Sequence, residues 1–285
     1  MSHTTTPLIN ETDMLHARIL TLAVEAAHSA CTIIKEGFES DHIHADSKEG
    51  RHNLVTEYDR RSEERIVSMI REVFPDHHIM AEESHNSAVL SATDEDYEWI
   101  IDPIDGTVNF AHKVPIFCVS IGVRHRGEII IGVIYQPMTN ELFTAVKGKG
   151  AFLNGKRLAV STTATLDAGF LVTGFPYNVF QNPGQCIDHM VHFLSMGLPI
   201  RRLGSAALDL AYLAAGRFDG YWEVQLQAWD VSAGLLMVHE AGGMLTHYDG
   251  SPYRIGEQFM LASNGHIHAE MSQKLLAVMH STPLS

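Results

Sequence analysis

Glu98-Trp-Ile-Ile-Asp102-Pro-Ile-Asp105-Gly-Thr107 sets two aspartates three residues apart directly behind an apolar run. Trp99-Ile100-Ile101 predicts a short buried strand, and Gly106-Thr107 predicts a turn into a helix. Carboxylates at a strand end supply the oxygen-only ligands that hard cations such as Mg²⁺ prefer. The free N–H groups of a following helix start suit a phosphate. The same letters also fit a plain Asp-Pro, Asp-Gly turn, because Pro, Asp and Gly are ordinary turn residues. The remainder of the chain decides between these readings.

At 285 residues, 45% hydrophobic and 19% charged, the chain has material for a large core and is not expected to be disordered. Its net charge of −14 argues against direct nucleic-acid binding and against an anionic membrane surface, since both rest on clustered Lys and Arg. Such a chain would also repel a phosphate substrate unless bound cations reverse the local potential. Residues 1–10 lack the charged-then-apolar pattern of a signal peptide. The longest strongly apolar run, 129–135, is too short to cross a bilayer. Cys31, Cys118 and Cys186 are odd in number and widely spaced, which predicts reduced structural thiols rather than disulfides or a zinc site. Together these features predict a cytoplasmic protein.

Apolar residues Leu15, Ile19, Leu22, Ala26, Ala30, Ile33 and Ile34 keep helical spacing over 12–38, and the polar segment 40–52 reads as a loop. A second helix follows Asn53–Asp59, with Ile66, Met69, Ile70 and Val73 on one face and Pro75 closing it. His78-Ile-Met-Ala-Glu82-Glu83 is a short strand running into two carboxylates. The segments 116–125, 128–135 and 141–146 read as an antiparallel meander with Gly-containing turns. Further strands are expected at 168–173, 199–203, 219–224, 244–248 and 259–263, and helices at 187–196, 205–215, 230–241 and 267–279. The fold class is therefore α+β (mixed α/β), with two sheet regions and helices in several layers. No linker or repeat interrupts the chain, so 1–285 reads as one unit, with a metal-site half at about 8–160 and an α/β half at about 161–285.

Three carboxylate groups fall at expected strand ends: Glu82/Glu83, Asp102/Asp105, and Asp230 after Trp229. Convergence of such ends can hold two cations about 3.5–4 Å apart, which clamp the attacking and leaving oxygens of a phosphoryl transfer. The acidic run Asp94-Glu95-Asp96 lacks the glycine and later glutamate of a calcium loop. None of the 18 histidines stands in the helical zinc-protease arrangement, and most read as solvated surface residues. Trp99, Trp222 and Trp229 read as packing anchors.

With these residues in view, the chain resembles the inositol monophosphatases. Trp99-Ile-Ile-Asp-Pro-Ile-Asp-Gly-Thr-Val-Asn-Phe110 looks like that family's first signature, and Trp229-Asp-Val-Ser-Ala-Gly-Leu-Leu-Met-Val-His-Glu-Ala-Gly-Gly243 is similar to its second. Leu54-Val-Thr-Glu-Tyr-Asp59 and Ala81-Glu-Glu-Ser84 match two more landmarks in order, with Ala81 where the family often has Gly. The resemblance implies a layered αβαβα sandwich of the inositol monophosphatase/fructose-1,6-bisphosphatase type, a homodimer, and lithium-sensitive, Mg²⁺-dependent hydrolysis of a polyol monophosphate such as inositol 1-phosphate. It implies that Glu82, Asp102 and the Ile104 carbonyl hold one Mg²⁺, that Asp102, Asp105 and Asp230 hold a second, and that Glu82 faces a weaker third. Thr107, hydrogen-bonded to Asp59, would orient and deprotonate the attacking water, and the Gly106 and Thr107 N–H groups would meet the phosphate. Asp105, Ala206 and Glu223 would line the polyol. Lys48 matches a family lysine near the third cation. Related phosphatases act on fructose 1,6-bisphosphate, histidinol phosphate or 3′-phosphoadenosine 5′-phosphate, and some bacterial proteins resembling this chain are regulators that bind RNA or the transcription machinery.

Overall fold

β4 (Glu98–Asp105) is buried along its whole length. A strand that reads as a continuous apolar run needs cover on both faces, and the fold supplies it. The computed structural model describes residues 11–48, 53–84 and 96–280. The expectations for residues 1–10, for 49–52 of the polar loop and for Asp94-Glu95 lie outside them.

β4 is second in a seven-stranded sheet, beside β3 (His78–Ala81) and followed by β5 (Cys118–His125), β6 (Glu128–Gln136), β7 (Glu141–Val146), β8 (Gly150–Leu153) and β9 (Lys156–Arg157). On one face lie α1 (Glu11–Glu39) and α2 (Glu57–Val73), where Ile19, Ala23, Ile34, Ile66 and Ile70 pack with Trp99, Ile121 and Val133. On the other lie α5 (Ala206–Ala214) and α6 (Ala228–Glu240). Those two helices are shared with a five-stranded sheet built from β10 (Leu171–Thr173), β11 (Ile200–Arg201), β12 (Gly220–Val224), β13 (Met244–Thr246) and β14 (Phe259–Ser263), in the order β11-β10-β12-β14-β13. α4 (Cys186–Ser195) and α7 (His268–Met279) close its outer face around Phe193, Trp222, Leu261 and Leu275. The layers run α, β, α, β, α, as expected.

Two pairings in this scaffold aim the carboxylates. β3 and β4 run parallel with Ala81 level with Ile101, so Glu82 emerges beside Asp102, and the Glu82 N–H donates to the Ile101 carbonyl at 3.1 Å. β4 and β5 are antiparallel with Asp102 opposite Ser120, and the register slips between Asp102 and Asp105. Pro103, which has no N–H to give a ladder, sits inside that bulge, and bulges re-aim side chains.

Some elements differ from the sequence reading. The polar loop 40–52 contains β1 (Ala45–Ser47), paired antiparallel with β2 (Leu54–Thr56). The strand expected at 199–203 shrinks to the two residues of β11. Asp230 is not at a strand end: α6 begins at Ala228, and Asp230 closes a capping box with Gln227. Gln in place of Ser or Thr at the cap hid this start from the sequence pattern. Not every histidine is solvated: His189 and His268 are buried, the latter between Ser263 and Thr246. α1 is long and apolar enough to cross a membrane by length and mean hydropathy (1.3), a property that contiguous apolar runs did not reveal. Its apolar stripe is spent on the core instead. All three cysteines are buried and free.

α6 reaches β5 and β6 closely because Gly122 and Gly132 face it. A Cβ on Gly132 would lie 2.7 Å from the Ala233 carbonyl oxygen, and one on Gly122 would lie 2.6 Å from Ser232 Cβ. Backbone cannot give way as a side chain can, so Gly132→Ala is expected to cost about 1–3 kcal/mol. Urea denaturation measures this, and unchanged stability would contradict the close packing that places Asp230.

Candidate active site

Asp102, Asp105, Asp230, Glu223, Thr107 and Asp59 are all carried on regular elements, and Asp102, Asp105, Thr107, Glu223 and Asp59 are buried. Asp102 accepts the Ile104 N–H at 2.9 Å, a local turn that fixes the carboxylate in the bulge. Ser120, opposite Asp102, donates to the Trp229 carbonyl at 3.3 Å and so ties the start of α6 to this point of the sheet. Asp230 follows at once, with one oxygen taken by the Gln227 N–H at 2.7 Å.

Asp105 is held differently. Its Oδ2 accepts the Ser205 hydroxyl at 2.6 Å and the Ala207 N–H at 2.7 Å, so the start of α5 grips it. Cys118 Sγ lies 3.8 Å from the same oxygen. Ala206, expected to line the polyol, is the first residue of that helix. Ser205, Ala207 and Cys118 were not foreseen. The only signal was a serine before Ala-Ala-Leu, a usual helix-start residue.

Gly106 turns the chain from β4 into α3 (Thr107–Ala111) at φ 99°, a conformation that favours glycine. Thr107 Oγ1 then lies 3.0 Å from both Asp59 Oδ1 and the Ile104 carbonyl. A hydroxyl has one proton to give, so it serves one acceptor at a time. The other Asp59 oxygen takes the Thr56 N–H at 2.8 Å and the Thr56 hydroxyl at 2.5 Å, within the cap of α2.

Glu82 and Glu83 share the ammonium of Lys48, at 2.8 and 2.5 Å. Burial works against the Lys48 charge, but Glu82 and Glu83 outweigh it and hold the ammonium above its usual range. The Glu83 N–H also donates to Glu63 at 2.7 Å. Ala81 keeps an ordinary strand conformation, so the small residue before the pair needs no positive φ.

The electrostatics are those of anions crowded out of water. Burial, then the charges of Glu82, Asp105 and Asp230, pushes the Asp102 carboxyl well above the usual range. Burial and Asp105 do the same to Asp230. Burial raises Asp105 and Asp59 to about 6 despite the hydrogen bonds that favour their charged forms. Glu83 and Glu223 rise to about 7, again chiefly through burial. An oxygen-only, buried and mutually repelling donor set fits divalent cations, which would discharge it. Among the described residues, no three such side chains are gathered tightly enough to ligate one ion as they stand, and Lys48 draws Glu82 and Glu83 to itself.

The inositol monophosphatase family model matches residues 16–282. This chain belongs to that family. It is 44% identical over 246 residues to the Nus factor SuhB of Escherichia coli K12, covering 86% of this chain and 89% of that protein. It is 45% identical over 225 residues to the inositol-1-monophosphatase of Synechocystis, covering 79% and 77%. The solved structure of an inositol monophosphatase from Anabaena superposes with a TM-score of 0.81 at 40% identity, covering 94% of this chain and 98% of that one.

In this member of the inositol monophosphatase family, the raised carboxyls keep protons that an unfolded chain, with carboxyl pKa values near 4, has lost. They therefore weigh against folding increasingly as pH rises from about 4 through their folded values of about 6 to 7, and a bound cation relieves that penalty. Mg²⁺ should raise Tm by several degrees more near pH 8 than near pH 5.5. Differential scanning calorimetry tests this, and an equal or inverted Mg²⁺ effect would remove the cluster as the binding site.

Proposed function

We propose that the chain hydrolyses a polyol monophosphate, inositol 1-phosphate above others, to the free alcohol and orthophosphate. The observation that carries the reading is the parallel β3–β4 register, which sets Glu82 beside Asp102 while Ser120 ties in the start of α6 with Asp230. Glu82, Asp102 and the Ile104 carbonyl would hold one Mg²⁺; Asp102, Asp105 and Asp230 a second; Glu82 would face a third. Bound there, Mg²⁺ would neutralise the dianionic ester and lower the pKa of a water toward neutrality.

The chain's own residues do the rest. Loading the site entails a shift of Glu82 away from Lys48. The N–H groups of Gly106 and Thr107 hold the phosphate at the start of α3. Thr107 and Asp59 form a hydroxyl–carboxylate relay: Thr107 Oγ1 accepts the proton of the attacking water while its own passes to Asp59, whose carboxyl titrates near 6. The water oxygen bonds to phosphorus and the ester P–O bond breaks. The leaving alkoxide takes a proton from solvent water, and Asp59 returns the proton it gained to solvent, so the products are the alcohol and orthophosphate. Asp105, Ala206 and Glu223 face the leaving polyol. We place this reaction in the cytoplasm, in a homodimer.

Phosphate release from inositol 1-phosphate should require Mg²⁺, and Asp102→Asn should lower kcat/KM by at least about 100-fold, the upper end of what loss of a supporting residue at a metal site costs. Thr107→Ala should lower kcat by about 10²–10⁴-fold, the usual contribution of positioned proton transfer. Undiminished turnover with EDTA or in either variant would sink the mechanism. A higher kcat/KM for fructose 1,6-bisphosphate, histidinol phosphate or 3′-phosphoadenosine 5′-phosphate would move the substrate within the family.

A second reading is favoured by the Nus factor SuhB relatives: a protein that docks on the transcription machinery. The two readings separate in a deletion strain. Catalytically dead Asp102→Asn protein should fail to restore growth if hydrolysis is the main role, whereas full restoration would favour the regulatory reading.

A further inference from the structure

Glu223 is the one proposed substrate-facing carboxylate that does not belong to the proposed metal cluster. Side chains alternate along a strand. On β12, Trp222 and Val224 therefore enter the outer core, while Tyr221 and Glu223 share the inner face toward α5. Tyr221 is wholly buried, and its hydroxyl donates to Glu223 Oε2 at 2.5 Å. This short bond is to a group with charge to offer, and bonds of that kind are the strong ones. It leaves Oε1 for another donor.

The opposite side is set by a glycine. β10 runs parallel to β12 with Thr173 level with Trp222, so Gly174 comes alongside Glu223. A Cβ at Gly174 would lie 2.2 Å from Oε2 and 2.4 Å from Oε1 of Glu223. Any side chain there forces the carboxylate to move. Asp209 of α5 is buried within the field of both Glu223 and Tyr221, and neither of its oxygens has a hydrogen-bond partner among the described residues. The Tyr221 hydroxyl is given to Glu223 and not to Asp209.

We propose that Tyr221 and Gly174 are positioning residues that aim the Glu223 carboxylate at the leaving alcohol, Tyr221 through its hydroxyl and Gly174 by leaving room, and so set the preference for hydroxyl-bearing leaving groups. This rests on the polyol-phosphatase reading and adds to it the residues that tune its selectivity. Neither residue touches substrate.

The test compares inositol 1-phosphate with phenyl phosphate, whose leaving group carries no further hydroxyl for Glu223 to accept from. In Tyr221→Phe the ratio of kcat/KM for the two esters should fall about tenfold, with the loss on inositol 1-phosphate lying in KM, the scale of one hydrogen bond to a charged group. Gly174→Ala should lower the same ratio independently by moving the carboxylate. In a Glu223→Gln background Tyr221→Phe should add little, because residues that act through one another are not additive. An unchanged ratio, an equal loss on both esters, or full additivity with Glu223→Gln would overturn the proposal while leaving the phosphatase reading standing. A wild-type protein that hydrolyses neither ester would overturn both.

Discussion

Buried carboxylates repel one another, and this molecule is built around enforcing that repulsion. Asp102, Asp105, Asp230 and Glu82 come from a parallel strand pair, a bulge and a helix start; Asp102 and Asp105 are buried, and Asp230 and Glu82 are half-buried beside them. Isolated ionised groups in such a place are costly, and the usual escapes are protonation or a compensating cation. The raised pKa values of Asp59, Asp105 and Glu223 are the first escape, and the Lys48 ammonium between Glu82 and Glu83 is a local form of the second. A chain with a net charge of −14 that collects acids instead of dispersing them has a use for positive ligands. That negative field would draw divalent cations in, and it is their charge that would make a dianionic ester welcome there.

The scaffold spends its most exacting packing on that cluster. α6 could not bring Asp230 to Asp102 if β5 and β6 carried side chains at Gly122 and Gly132. Asp105 is fixed by the start of α5, and α5 is locked between two sheets. The two sheets are therefore not independent of the chemistry. One supplies Asp102 and Asp105, the other supplies Glu223, and the helices between them supply Asp230 and the donors that hold Asp105.

Much of this was readable in the residues because the chemistry needs scarce letters in fixed order. Acids after apolar runs at Glu82, Asp102 and Asp105 mark themselves; the strand at Glu141–Val146 follows from alternation, and that at Phe259–Ser263 from a short apolar run. Asp230 was counted among the strand ends although the helix expected at 230–241 already held it; that helix starts two residues earlier, at Ala228, behind a Gln cap that does not advertise itself. β1 escaped notice because a strand of three exposed or half-buried residues has no periodicity to detect. Tyr221 and Ser205 were missed for another reason. Tyrosine in a strand is expected for packing alone, and only the tertiary fold reveals which acceptor its hydroxyl has found. Positioning groups of this sort are defined by neighbours far away in the chain.

The central claim is that Glu82, Asp102, Asp105 and Asp230 form one cation site. Crystals soaked in Mn²⁺, which takes the same oxygen donors as Mg²⁺, test it through anomalous scattering. Two peaks about 3.5–4 Å apart, with Asp102 between them and Glu82 released from Lys48, are the predicted result. An intact Lys48–Glu82–Glu83 bridge with no peak among the four carboxylates would contradict it.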